Sequence, residues 1–324
     1  MTSRRGLVAA LATVSLVAMM TPAAHALAPA GAPACPSFPA DNVWHSDISR
    51  LPVSKHNAAW MASTSASTRK LHPDFGTSGN PAAPYGIPYI SVAGTHPKVP
   101  VTFYYADESD HVSYPLGADT KVEGGRDSGG DMHAIEIDRA TCKLYETSVT
   151  TQDRAGRWHA AAGAVWDLKS NRLRPATWTS SDAAGLPIYP GLLRRDEVKA
   201  GLVDHAIRFT LARTDRSFVW PARHQAGSAR SVNLPPMGAR FRLKASFNIS
   251  RLRPDTQVVL KAMKKHGVIL ADNGSNWFFQ GAADNNWDDG FINELKGIPA
   301  SAFEAVDASS QMVSVNSGQA RKTP

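Results

Sequence analysis

Short runs in which apolar and polar residues alternate recur along the chain. They are clearest in Val99-Pro-Val-Thr-Phe-Tyr-Tyr, His133-Ala-Ile-Glu-Ile, His205-Ala-Ile-Arg-Phe-Thr-Leu and Arg240-Phe-Arg-Leu-Lys-Ala. A period of two puts the apolar side chains of each run on one side of an extended backbone, which predicts half-buried β-strands. The polar stretch Asp138-Arg-Ala-Thr-Cys, between Ile137 and Leu144, predicts a hairpin. Helical spacing is confined to Arg194 to Lys199, closed by Gly201, and to Asp255 to His266, where Val258, Val259, Leu260 and Met263 precede Gly267. Val268 to Ala271 reads as a buried strand running into the turn Asp272-Asn273-Gly274. The 22 prolines and 24 glycines interrupt the chain too often for a helical protein. The expected fold is mostly β, a β-sandwich or jelly-roll with a few short helices and long loops.

The N-terminus bears on where this fold forms. Arg4 and Arg5, an apolar run from Gly6 to Met20, and Ala24-His25-Ala26 have the order of a signal peptide and its cleavage site, so the mature chain is expected to begin near Leu27 in an extracellular, secreted protein. Ser3-Arg4-Arg5 is also a partial twin-arginine signal. Residues 27–34 read as a flexible leader, 35–308 as one β-rich domain and 309–324 as a disordered tail. The two cysteines, Cys35 and Cys142, both belong to the exported part, where oxidising conditions favour a structural disulfide between them. The net charge of +7 suits an anionic partner such as cell-wall polymer or acidic polysaccharide. No nucleic-acid module is recognisable, and no second apolar run reaches membrane-spanning length after the signal. A monomer is expected.

Four stretches mix polar residues with aromatics and glycines, the composition of a binding surface on loops. In Glu123-Gly-Gly-Arg-Asp-Ser-Gly-Gly-Asp-Met-His133, the residues Asp131 and His133 lie two apart and so share a strand face. The second stretch, Trp158 to Asp182, places Trp166 in the core and leaves Trp178 free to stack on a sugar ring. In the third, His205 and Arg208 fall on opposite strand faces, while Arg223 and His224 sit in a turn, Trp220 to Gly227, that could close over a cleft. His133, His205 and His224 could form a three-His metal site, but nothing in their spacing requires one, and neither metal nor cofactor is expected. The fourth stretch sets Asp272, Asn273 and Trp277 near the acidic run Asp284 to Asp289, which reads as a solvated loop without EF-hand spacing. The motifs of serine hydrolases, zincins and nucleotide-binding proteins are absent.

Five segments, Gly163-Ala-Val-Trp-Asp-Leu, Thr179-Ser-Ser-Asp-Ala-Ala-Gly-Leu-Pro, Asp204-His-Ala-Ile-Arg-Phe-Thr, Pro235-Pro-Met-Gly-Ala-Arg-Phe-Arg-Leu-Lys and Ile269-Leu-Ala-Asp-Asn-Gly, together resemble an uncharacterised group of secreted bacterial proteins. The resemblance spans roughly Asp131 to Asp307 and implies a secreted domain without adding a mechanism. It directs attention to Asp131, His133, Asp182, His205, Arg208, His224, Arg240 and Asp272.

The function expected from these residues is a secreted carbohydrate-active enzyme that cleaves a polysaccharide. A glycoside hydrolase needs two carboxyl groups in different protonation states, for which Asp131, Glu136, Asp167, Asp182 and Asp272 are candidates. A uronate lyase needs a base and a cation, for which His133, His205, His224, Arg208 and Arg240 are candidates. Two readings without catalysis compete: a carbohydrate- or cell-wall-binding protein with Trp178, Trp277, Arg240, Asp272 and Asn273 on its surface, and a structural envelope protein.

Overall fold

The computed structural model describes residues 27–322; the expected signal segment lies outside them. Thirteen strands among these residues form three sheets and give a mostly β, sandwich-like fold. Along the chain they are β1 (His72–Asp74), β2 (Ile90–Val92), β3 (Val101–Phe103), β4 (Ala134–Asp138), β5 (Lys143–Ser148), β6 (Thr151–Gln152) and β7 (Trp158–Ala160). They continue as β8 (Ala162–Asp167), β9 (Ile207–Leu211), β10 (Arg240–Leu243), β11 (Val268–Asn273), β12 (Phe278–Gln280) and β13 (Phe303–Val306). Four short helices accompany them: α1 (Asn57–Ser63), α2 (Arg195–Ala200), α3 (Pro254–Lys265) and α4 (Asp289–Leu295).

The largest sheet has the order β1-β12-β9-β11-β10-β13, with β9 and β11 parallel at its centre. A second has the order β2-β4-β5-β8 and a third β3-β7-β6. The main core contains Trp277, Phe209, Phe241 and Phe279 of the large sheet, and a smaller one joins Phe103, Tyr114, Tyr145 and Trp158 between the other two. The alternating runs form β3, β4, β9 and β10, and the 138–142 hairpin closes with the Asp138 carboxylate accepting from the backbone of Ala140 and Thr141. α2 ends at Gly201 in the left-handed conformation, as the spacing predicts (φ 77°).

Two departures have simple causes. Asp288, in the run read as a solvated loop, accepts from Phe291 N and caps α4, so the acidic residues there start a helix. The leader is held by the Arg194 side chain and the tail by backbone bridges, neither of which composition reports. Leu27 O accepts from Arg194 at 2.9 Å, and Arg172 bridges Ser317 while Met312 bridges Ala320.

Cys35 and Cys142 are joined, with Cα atoms 5.3 Å apart and a sequence separation of 107. The bridge fastens the N-terminal segment to the tip of the β4–β5 hairpin.

Glu136, on β4, is fully buried, and among the described residues its carboxyl group has only the nearby Thr120 side chain to offset that burial. Burial pushes this carboxyl up to about 8. Its folded-state value lies above the ordinary one, so the stability it contributes is fully present below the ordinary carboxylate range and is lost as pH rises through about 8. Glu136→Gln, a neutral isostere, is therefore expected to leave Tm nearly unchanged at about pH 5 and to raise it by roughly 5–10 °C at about pH 9. An equal shift at both pH values in a thermal melt would contradict this account.

Candidate functional site

The site begins with an arginine in the middle of the large sheet. β9 is buried on both faces, so the residues that alternation assigns to a polar face, Arg208 and Thr210, are enclosed as well. A buried guanidinium needs anionic partners. Arg208 Nη2 donates to Asp182 at 3.0 Å and lies 3.8 Å from Asp272.

Asp272 reaches Arg208 through an irregularity in β11. Up to Leu270, which pairs with Phe209, the strand is in step with β9, but a register shift then pairs Asp272 with Thr210. Without the extra residue, Asp272 would share the core face of Leu270; the bulge turns it to the Arg208 face. Asp182 arrives on the loop 179–187, whose tight path needs Gly185: at φ 65° a Cβ there would sit 2.5 Å from Trp178 O. The turn that carries His224 clasps this loop, as Arg223 N and His224 N both donate to Ala184 O.

The result is a cavity of about 320 Å³ whose wall includes Asp131, His133, Ser181, Asp182, His224 and Asp272. Asp182 is buried completely, whereas the Asp272 side chain keeps 24% exposure in the cavity wall. Asp131 stands exposed on the rim. Met132 and Val149 adjoin it with positive φ of 41° and 50°, and Val149, which lines the cavity, is β-branched, so its backbone is strained there.

The electrostatics follow from a shortage of cations. Four carboxyl groups, Glu123, Glu146, Asp182 and Asp272, surround two cations, Arg208 and His133. Burial, reinforced by the Asp182 carboxylate, pushes Asp272 up to about 7, and burial also lifts Asp182 to about 6 against the pull of Arg208. Glu146, lifted by burial to about 6, accepts from Ile188 N and Tyr189 N. Burial disfavours the charged form of His133, but the Glu123 carboxylate 2.6 Å away overrides it and holds the ring up to about 9. The other His133 nitrogen donates to Ser181 O at 3.1 Å, so both ring nitrogens are engaged and His133 serves to position the loop.

His224 differs. Its Nδ1 lies 2.9 Å from Ala183 O, and a carbonyl oxygen only accepts, so Nδ1 carries a proton and the tautomer set by this bond has its lone pair on Nε2. Ser181 Oγ, in the cavity wall, is buried without a partner among the described residues.

Of the residues singled out by sequence, Asp131, His133, Asp182, Arg208, His224 and Asp272 converge here. The others do not. His205 is buried beside α2, bonded to Glu197 and Ala206 O. Arg240 pins the N-terminal segment by donating to Val43 O, Ser46 Oγ and His266 O. Trp277 is fully buried among Phe209, Phe241 and Phe303, and its indole N–H donates to Thr64 O. Trp178 lies 5.5 Å from the Arg174 guanidinium, and Asn273 accepts from Thr214. Glu136 and Asp167 are likewise elsewhere, the first in the second sheet and the second paired with Lys143. With His205 apart, the three histidines do not assemble, and no group of three metal-ligating side chains converges among the described residues. Glu123 and Ser181 lie in stretches that the sequence singles out but does not mark residue by residue, and Glu146 lies outside them, because the partners of all three are distant in sequence or set by the fold. Comparison of the chain with family models, with curated proteins and with solved structures gives no match.

Proposed function

We propose that this chain is a secreted enzyme that hydrolyses polysaccharide by general acid–base catalysis, with Asp272 as the acid and His224 as the base. One observation carries the reading: a single cavity pairs a carboxyl group that stays protonated to about pH 7 with an imidazole whose Nε2 is free to take a proton. In the reaction Asp272 gives its proton to the glycosidic oxygen as the bond to the anomeric carbon breaks. Water attacks that carbon, and His224 Nε2 takes the proton it releases. Exchange with solvent then restores both groups.

Other features agree. The cavity volume is in the range of small-ligand sites, large enough for a sugar ring. The exposed Asp131 side chain on the rim offers a hydrogen-bonding group to sugar hydroxyls. Arg208 is buried, donates to Asp182 and is not among the residues that line the cavity, so it is poorly placed to be the cation that a uronate lyase needs, which favours hydrolysis over elimination. The disulfide fits an oxidising compartment, and the +7 charge fits an anionic cell-wall or acidic polymer.

His224→Asn tests the base. Asparagine can still bond Ala183 O but takes no proton, so kcat should fall by roughly 10²- to 10⁴-fold while Tm stays within about 2 °C of the parent. Loss of activity in proportion to loss of stability would overturn the assignment.

A further inference from the structure

We propose that Tyr104 and Tyr105 form a stacking platform for a second sugar ring of the same polymer, beyond the bond cleaved between Asp272 and His224; the inference rests on the carbohydrate reading above. Tyr104 is 82% exposed and Tyr105 51%, whereas Phe103, one position earlier, is turned into the second core. A tyrosine is ordinarily only intermediate in burial, so a single exposed ring says little, but an adjacent exposed pair forms a patch that is informative. The two rings meet edge to face with centroids 4.8 Å apart.

The backbone beneath them is fixed. Tyr104 N donates to Ala160 O at 3.0 Å and Tyr105 N to Ala161 O at 2.8 Å, while Tyr105 O accepts from Ser109 Oγ. The next turn, 106–108, is held by Glu108, whose carboxylate accepts from Thr179 N and whose carbonyl accepts from Arg174. A platform ordered in advance loses little conformational entropy when a ligand stacks on it.

Position selects the occupant. Tyr105 lines the catalytic cavity beside Glu108 and Asp131, and Tyr104 continues the surface outside it. A chain bound through one sugar in the cavity therefore carries its neighbour toward the tyrosines. Aromatic faces accept the C–H side of a pyranose, and phenol hydroxyls bond its hydroxyl groups. Two rings fall far short of the roughly 20–30 residues per side that a stable protein interface uses.

The test uses the mature chain silenced by Asp272→Asn, run in affinity gels containing polygalacturonate, alginate, xylan or carboxymethyl-cellulose. The silenced parent should be retarded by at least one of these polymers. Adding Tyr104→Ala should weaken that retention about tenfold at unchanged Tm, and Tyr104→Trp should preserve it. Retention untouched by Tyr104→Ala and by Tyr105→Ala would overturn the platform and leave the carbohydrate reading standing. A parent retarded by none of the four polymers would overturn the carbohydrate reading, and the platform with it.

Discussion

Asp272→Asn is expected to lower kcat on a cleaved polysaccharide by roughly 10²- to 10⁴-fold while Tm below about pH 6 stays close to that of the parent. Asparagine matches the protonated carboxyl in size and neutrality, so the surroundings built around Asp272 keep their partners: Arg208 retains Asp182, and the β11 bulge is unchanged. What is lost is the transferable proton. The pH dependence gives a second readout. Burial and Asp182 push Asp272 up to about 7, so the parent should lose activity as pH rises through about 7, where the acid gives up its proton. The residual activity of the variant should lack that limb. A variant with full activity, or one that keeps the same alkaline limb, would show that another group is the acid.

The second large effect concerns stability. Replacing Cys35 and Cys142 by alanine releases a loop closed across a sequence separation of 107, for which the chain-entropy relation gives about 4–5 kcal/mol, a Tm decrease on the order of 10 °C. The bridge lies at the tip of the β4–β5 hairpin, and the other end of that hairpin carries His133 and Glu146 into the site network. Reduction is thus expected to loosen the site as well as the fold. A thermal melt of the double variant within about 2 °C of the parent would show that the bridge adds little.

How much of this was legible depended on whether a residue's partner lay close in sequence. Alternation located β3, β4, β9 and β10, and terminal glycines located α2 and α3, because those signals are local. Alternation also promised β9 a polar face, and the fold enclosed it; the enclosure turned Arg208 from a surface residue into the organiser of two aspartates. His205, Arg240 and Trp277 were enclosed too, but found neutral or structural partners and left the site. The β11 bulge that brings Asp272 to Arg208 is a one-residue change of register, invisible in a short apolar run. Trp178 and Trp277 drew attention as stacking surfaces because tryptophan is conspicuous in a sequence. The exposed aromatics beside the cavity are the tyrosines at the end of β3; alternation sets Tyr104 opposite the core residue Phe103 but puts Tyr105 on the same face as Phe103, so the pair was not legible as a surface.

The central claim, that the cavity around Asp272 and His224 hydrolyses polysaccharide, is tested most directly by incubating the purified mature protein with neutral and acidic polysaccharides. Reducing ends and the ultraviolet absorbance of unsaturated uronates are followed together. The account predicts new reducing ends without that absorbance, from the parent and not from Asp272→Asn. Reducing ends accompanied by the absorbance would contradict the hydrolytic assignment, and silence across the panel would contradict catalysis on polysaccharide altogether.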